Sequence, residues 1–383
     1  MYFFLCLYLS VYGGMIAYSL FKVYLAFAFG WRGAVMLAAG GVLLLAAPIL
    51  QQRLSGAHAY SLVRAFAFAA WISMALVFWF TLLNGATDLW NLGTHAVSWL
   101  TPAAARWHIS PRPAILVHAV MLLVACAWGY VEAGCVRLKT VEIPTRRLPA
   151  NAPPLRLIQI ADLHLGRTSR DVVFAKVLRL VRAARPDVLV STGDLLDATD
   201  PPMAALMRQF TEIQPPLGKF AVLGNHEVYP GVMAATCLLQ AAGFVVLKEE
   251  TAPVGEHLLL AGVNEPAVLR GTGGKPQTDE AALLRAARDA RFLLLLKHQP
   301  RVTATARAYA DLQLSGHTHQ GQIFPFAWFV HLFYSYPHGR LIAFPEGLHL
   351  YVSPGAGTWG PPFRLLAPPE VTLFLLKPVA GTL

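Results

Sequence analysis

Apolar and polar positions follow two different rules along this chain. Through residue 135 the apolar residues run in long blocks. Four of these, residues 3–21, 33–50, 65–83 and 114–130, match the roughly 20 residues needed to cross a hydrocarbon core. They predict a module of four transmembrane helices over residues 1–135. The first block has no basic stretch ahead of it and three more follow, so it reads as a retained span rather than a cleaved signal. The proline-punctuated stretch EIPTRRLPANAPP, residues 142–154, marks a linker placed at 136–151. From 152 to 383 the rule changes. Short β-branched and leucine runs alternate with Ala/Leu/Arg segments such as DVVFAKVLRLVRAARP, the pattern of an α/β domain.

Composition sharpens that division. Charged residues make up 14% of the chain and apolar ones 56%, against about 25% charged in an ordinary soluble domain. The deficit lies in residues 1–135, with six basic residues (Lys22, Arg32, Arg53, Arg64, Arg106, Arg112) and two acids (Asp88, Glu132). The net charge of +10 comes from scattered rather than blocked basic residues, so anionic lipid headgroups fit better than nucleic acid as the attracting partner. An even number of spans puts both chain ends on one side. That side holds Arg53, Arg64, Arg137, Lys139, Arg146 and Arg147, against Lys22, Arg32, Arg106 and Arg112 on the other. The excess predicts a cytoplasmic second domain.

The chemistry falls where the apolar runs stop. LRLIQIADLH ends in Asp162 and His164, DVLVSTGD in Asp194, and FAVLGNHE in Asn225, His226 and Glu227. FLLLLKHQP ends in His298, and LQLSGHTH in His317 and His319. Ligands of α/β sheets gather at the carboxyl ends of strands, so these five ends can meet at one place. Their imidazoles, carboxylates and amide oxygen are too many for one tetrahedral ion and suit two. With no thiolate among them, manganese, iron or zinc suits the set, and manganese is the expected ion. Two such ions roughly 3.5–4 Å apart hold both oxygens of an in-line displacement at phosphorus. The remaining histidines read as packing or interfacial residues: His58, His95, His108 and His118 in the membrane half, His257 and His349 ahead of apolar strands.

The blocks DLH, GD, GNHE, KHQ and GHTH, in that order, resemble the calcineurin-like metallophosphoesterase family over residues 152–377. The resemblance implies two packed mixed β-sheets flanked by helices, and a dinuclear metal-dependent phosphohydrolase. It implies that Asp162, His164 and His319 hold one metal and Asn225, His298 and His317 the other, with Asp194 bridging them. His226 would contact the phosphoryl group and assist the leaving oxygen. The chain also resembles membrane-anchored bacterial members, some acting on UDP-2,3-diacylglucosamine, which implies the bacterial cytoplasmic membrane and a lipid-linked substrate. Its closing segment, YVSPGAGTWGPPFRLLAPPEVTLFLL, would place the SPGAGTWG loop near the site.

Four further residues are candidates for substrate contact. Arg167, after DLHLG, and Arg364, in PPFRLL, each read either as a phosphate clamp or as an ordinary loop residue. Phe329 and Phe333 belong to FPFAWFVHLFYSYP, which reads as an interfacial flap for acyl chains, or as a buried hairpin or helix. His331 and His338 lie close by but outside the family pattern. A soluble nucleotide or diester substrate, and a non-catalytic metal-bound sensor, remain open as alternatives.

Overall fold

The computed structural model describes residues 2–53, 60–271 and 279–379; His58 lies outside them. The chain divides into two compact units, Met1–Trp128 with Gly360–Pro362, and Gly129–Trp359 with Phe363–Leu383.

The first unit contains α1 (Tyr2–Phe27), α2 (Trp31–Arg53), α3 (Tyr60–Ser98) and most of α4 (Pro111–Gly134). All four are long and apolar enough to cross a membrane. Large apolar side chains such as Leu43, Leu62, Leu92 and Val124 lie exposed on them, as lipid rather than water allows. The 39 residues of α3 far exceed the expected span at 65–83, because its apolar run passes into ATDLWNLGTHAVS without a proline to stop it. Tyr12, Ile16 and Val77 make a small apolar core between α1 and α3. A polar seam runs beside it: Ser19 meets Thr81 at 3.1 Å, and Asp88 takes Lys22 Nζ at 2.5 Å and the Tyr18 hydroxyl at 2.6 Å. Charges on spanning helices persist when paired in this way.

The second unit is two mixed six-stranded sheets packed face to face. Its strands are β1 (Arg137–Thr145), β2 (Leu155–Ile160), β3 (Val188–Ser191), β4 (Lys219–Ala221), β5 (Val245–Val246), β6 (Glu250–Val254), β7 (Leu258–Val263), β8 (Phe292–Lys297), β9 (Leu312–Ser315), β10 (Leu341–Ala343), β11 (His349–Val352) and β12 (Glu370–Pro378). One sheet runs β1-β12-β2-β3-β4-β5 and the other β10-β11-β9-β8-β7-β6. The helices are α5 (Asp171–Ala184), α6 (Pro201–Arg208), α7 (Val232–Ala241), α8 (Pro266–Gly271), α9 (Glu280–Ala287), α10 (Ala304–Tyr309) and α11 (Phe326–Phe333).

Strand β8 shows why its run is unbroken leucine. Phe292, Leu294 and Leu296 enter the core between the sheets, while Leu293 and Leu295 pack under α9 and α10. Both faces are buried, so a period of two leaves no polar alternation to read. In α5, Val173, Phe174, Val177, Leu178 and Val181 recur at helical spacing and are all buried.

Residues 137–145, expected within a linker, instead form strand β1, which pairs in parallel with β12. Its charges Arg137, Lys139 and Glu142 are interspersed with Leu138, Val141 and Ile143, and Ile143 joins the inter-sheet core. Pro144 fits because β1 is an edge strand, where a missing N–H costs no ladder bond.

Candidate metal centre

The parallel strands β2, β3, β4, β8 and β9 deliver their carboxyl ends to one buried place. The turns there are tight. Asp162, His164, Asp194, His317 and His319 all have φ between 49° and 72°, a left-handed conformation that costs a side chain of order 1–3 kcal/mol. Glycine makes room at two contacts. A Cβ on Gly224 would stand 2.1 Å from Asp194 Oδ1, and one on Gly316 2.5 Å from Asp162 Oδ2.

Three groups of potential ligands result, each with its donor atoms within 4.8 Å of one another: Asp162, His164 and His319; His164, Asp194 and His226; and Asp194, His298 and His317. His164 Nε2 lies 2.9 Å from His319 Nε2. Two donors at right angles, each about 2.1 Å from one cation, stand about that far apart. His298 donates its Nδ1–H to Thr192 O at 2.8 Å, which turns Nε2 inward. That Nε2 faces Asn225 Oδ1 at 3.0 Å, Asp194 Oδ2 at 3.2 Å and His317 Nδ1 at 3.1 Å. Asp194 Oδ2 is also 3.8 Å from His164 Nε2, so this carboxylate stands between the His164–His319 pair and the His298–His317 pair.

The electrostatics call for positive charge. Burial lowers His298, yet Asp194 beside it outweighs that and pushes its pKa up to about 10. His164 is likewise lowered by burial but raised to about 9 overall, chiefly by Asp197. His317 and His319 go the other way, held neutral by burial and by the neighbouring His298 and His164. Burial pushes Asp162 up to about 6, while Asp194, though buried, is held well below the carboxylate range, first by His298. Buried imidazole nitrogens and carboxylate oxygens with no thiolate fit divalent ions of the manganese, iron and zinc group.

The last motif residue, His226, packs its ring edge-on against His164, centroids 4.4 Å apart. Its backbone N–H donates to Asp194 Oδ1 and its Nδ1 lies 2.9 Å from Asp197 Oδ1. The same oxygen is 2.8 Å from His164 Nδ1. Asp197 was not singled out in the sequence. Its only signal is the spacing in GDLLD, three residues beyond Asp194. Glu227, the neighbour of His226, is buried. Its buried carboxylate accepts N–H groups of Asp194, Leu196 and Gly224, tying two of the ligand loops together.

The four candidate substrate contacts divide. Arg364 is a correction: it is fully buried, and its guanidinium donates to Gly357 O and Ala367 O and abuts His319 Nδ1 at 3.2 Å. A guanidinium spent on carbonyls holds a loop and cannot clamp a phosphate. That loop is the SPGAGTWG segment, whose Ala356 and Gly357 donate to Ala161 O and Asp162 O. Arg167 is half-buried in the loop beyond His164. Phe329 and Phe333 stand 52% and 76% exposed on α11, which has no buried residue. This rules out the core-helix reading of that segment. His331 and His338 face each other, centroids 5.7 Å apart. Tyr334, just past α11, packs on His317 at 5.5 Å and donates to Gln299 Oε1.

The family model for calcineurin-like phosphoesterases matches residues 155–321, from the start of β2 to just past His319. An uncharacterized metallophosphoesterase of Aquifex aeolicus is 37% identical over 252 residues, spanning 66% of this chain and 95% of that protein. The chain belongs to the calcineurin-like metallophosphoesterases. A metallophosphoesterase of Campylobacter jejuni is 32% identical over 268 residues, 69% of this chain and 68% of its own. A transmembrane protein with metallophosphoesterase domain from Danio rerio is 31% identical over 277 residues, 69% of this chain and 62% of its own. This metallophosphoesterase is therefore a metal-dependent phosphoester hydrolase, and its four apolar helices make it a membrane protein.

Proposed function

We propose that this hydrolase cleaves a phosphoester or diphosphate bond of a membrane-associated, lipid-linked substrate, with a UDP-diacylglucosamine-like lipid as the leading candidate. The convergence of Asp162, His164, Asp194, Asn225, His298, His317 and His319 beside the His226–Asp197 pair carries the chemistry. Asp162, His164 and His319 hold one divalent ion and Asn225, His298 and His317 the other, with Asp194 shared between them. Manganese is the first choice for both. When bound, the ions supply Lewis acidity to the phosphoryl oxygens and an acidified water to attack phosphorus.

The side chains do the rest. His226 presents its outer nitrogen to the phosphoryl group and to the departing oxygen. Asp197 holds the ring at Nδ1 and so fixes which nitrogen faces the substrate. Arg167 remains a candidate for a second phosphate, where a guanidinium matches two oxygens at once.

The exposed apolar helix α11 supports the lipid half of the reading. It follows directly on His317 and His319, and Phe324, Phe326, Trp328, Phe329, Leu332 and Phe333 all offer apolar surface to their surroundings. On a chain with four spans, such a helix serves to receive acyl chains from a bilayer. The basic residues flanking the spans favour the cytoplasmic face of a bacterial cytoplasmic membrane.

The test uses detergent-solubilised wild type and Asp194→Asn with manganese and a bacterial lipid extract, followed by phosphorus NMR and mass spectrometry. A lipid phosphate species consumed by wild type alone supports the reading and identifies the bond. No consumption, while a soluble diester is turned over efficiently, moves the substrate out of the membrane.

A further inference from the structure

One side of the centre carries aromatic rings that the proposed reaction does not yet use. The His226 ring is met edge-on by Tyr229, centroids 4.9 Å apart at 87°, and by Trp359 at 6.1 Å and 64°. Tyr229 is 72% exposed and Trp359 46%, so neither ring is packed away in the core.

Trp359 is nevertheless held firmly. Its backbone N–H donates to Gln322 Oε1 at 3.0 Å, and its carbonyl accepts from Gln322 Nε2 at 3.0 Å. Gln322 is itself 3% exposed and adopts a φ of 56°. A strained, buried amide thus fixes the backbone of a half-exposed tryptophan beside the histidine at the leaving group. A large flat ring left open to water forgoes burial unless something covers it. Tyr334 lies elsewhere, against His317, so the rings beside His226 are a distinct feature.

We propose that Trp359 and Tyr229 form an aromatic recess for the leaving group, selecting phosphoesters whose departing portion carries a flat ring such as an aryl group or nucleobase. The inference rests on the proposed role of His226, because only then does the leaving oxygen emerge beside these rings. Ring-on-ring contact then adds affinity that an alkyl leaving group of similar reach does not obtain.

The test measures binding of phenylphosphonate and ethylphosphonate by calorimetry to the manganese-loaded full chain in detergent. Hydrolysis of p-nitrophenyl phosphate and metal content are followed in parallel. Wild type is expected to bind the phenyl compound about five- to tenfold more tightly than the ethyl one. Trp359→Ala should bring that ratio close to one with metal content unchanged, Tyr229→Ala should lower it in part, and Trp359→Phe should retain most of it. A ratio unchanged in Trp359→Ala overturns the recess, as does equal weakening of both ligands, which marks a purely structural tryptophan. Wild type that binds both ligands but turns over no ester sinks the hydrolase reading, while the recess is still judged by the ratio. Wild type that binds neither overturns both.

Discussion

Glu227 shows how much of the centre depends on side chains that touch no substrate. Its carboxylate serves three backbone N–H groups from the Asp194 and Asn225 loops, all buried. Burial, with Asp194 nearby, pushes its pKa up to about 7, so the N–H groups are what make the site tolerable for it. Glu227→Ala leaves three donors without acceptors at about 1–3 kcal/mol each, an expected loss of about 3 kcal/mol or more. Glu227→Gln keeps one carbonyl oxygen and should lose less. Thermal melts of the two variants in detergent check this; equal losses, or none, contradict the bracing role. The same residue marks a limit of reading sequence: GNHE identified His226 and Asn225, but a carboxylate that braces loops from inside has no periodic signature. Asp197 escaped for a related reason. A single acid in a loop acquires meaning only when the fold brings His164 and His226 to it.

Among the elements, the five ligand-bearing strand ends were legible because each apolar run stops abruptly at a polar group. Strand β1 was not. Three charges and a proline resemble a linker until β12, some 230 residues later, supplies the partner it pairs with. The segment that became α11 was readable as apolar but not as helix or hairpin; its exposure is a property of the packed molecule. Its role belongs to this scale. Phe329→Asp with Phe333→Asp places two charges on a face with no buried residue, so folding and metal content should persist. Turnover of a lipid-linked substrate should fall while a small chromogenic ester is spared. Equal loss on both substrates removes α11 from lipid recognition.

For the molecule as a whole, the division of labour was visible from the first: a charge-poor third that spans a membrane and a catalytic two-thirds of ordinary composition. The ligand blocks lie up to 157 residues apart in sequence, between Asp162 and His319, yet the parallel order of their strands lets them meet. What sequence could not supply was the inward turn of Arg364, since a buried guanidinium and a phosphate clamp share the same letters. The central claim is that two divalent ions share Asp194 and that His226 acts on the substrate without holding metal. The most direct test is metal content by mass spectrometry together with p-nitrophenyl ester turnover for wild type, Asp194→Asn and His226→Ala. Wild type should carry two equivalents; Asp194→Asn should lose metal and turnover together. His226→Ala should keep both metals and lose roughly 10²-fold or more in rate. Full metal occupancy and full activity in Asp194→Asn, or an undiminished rate in His226→Ala, would contradict the account.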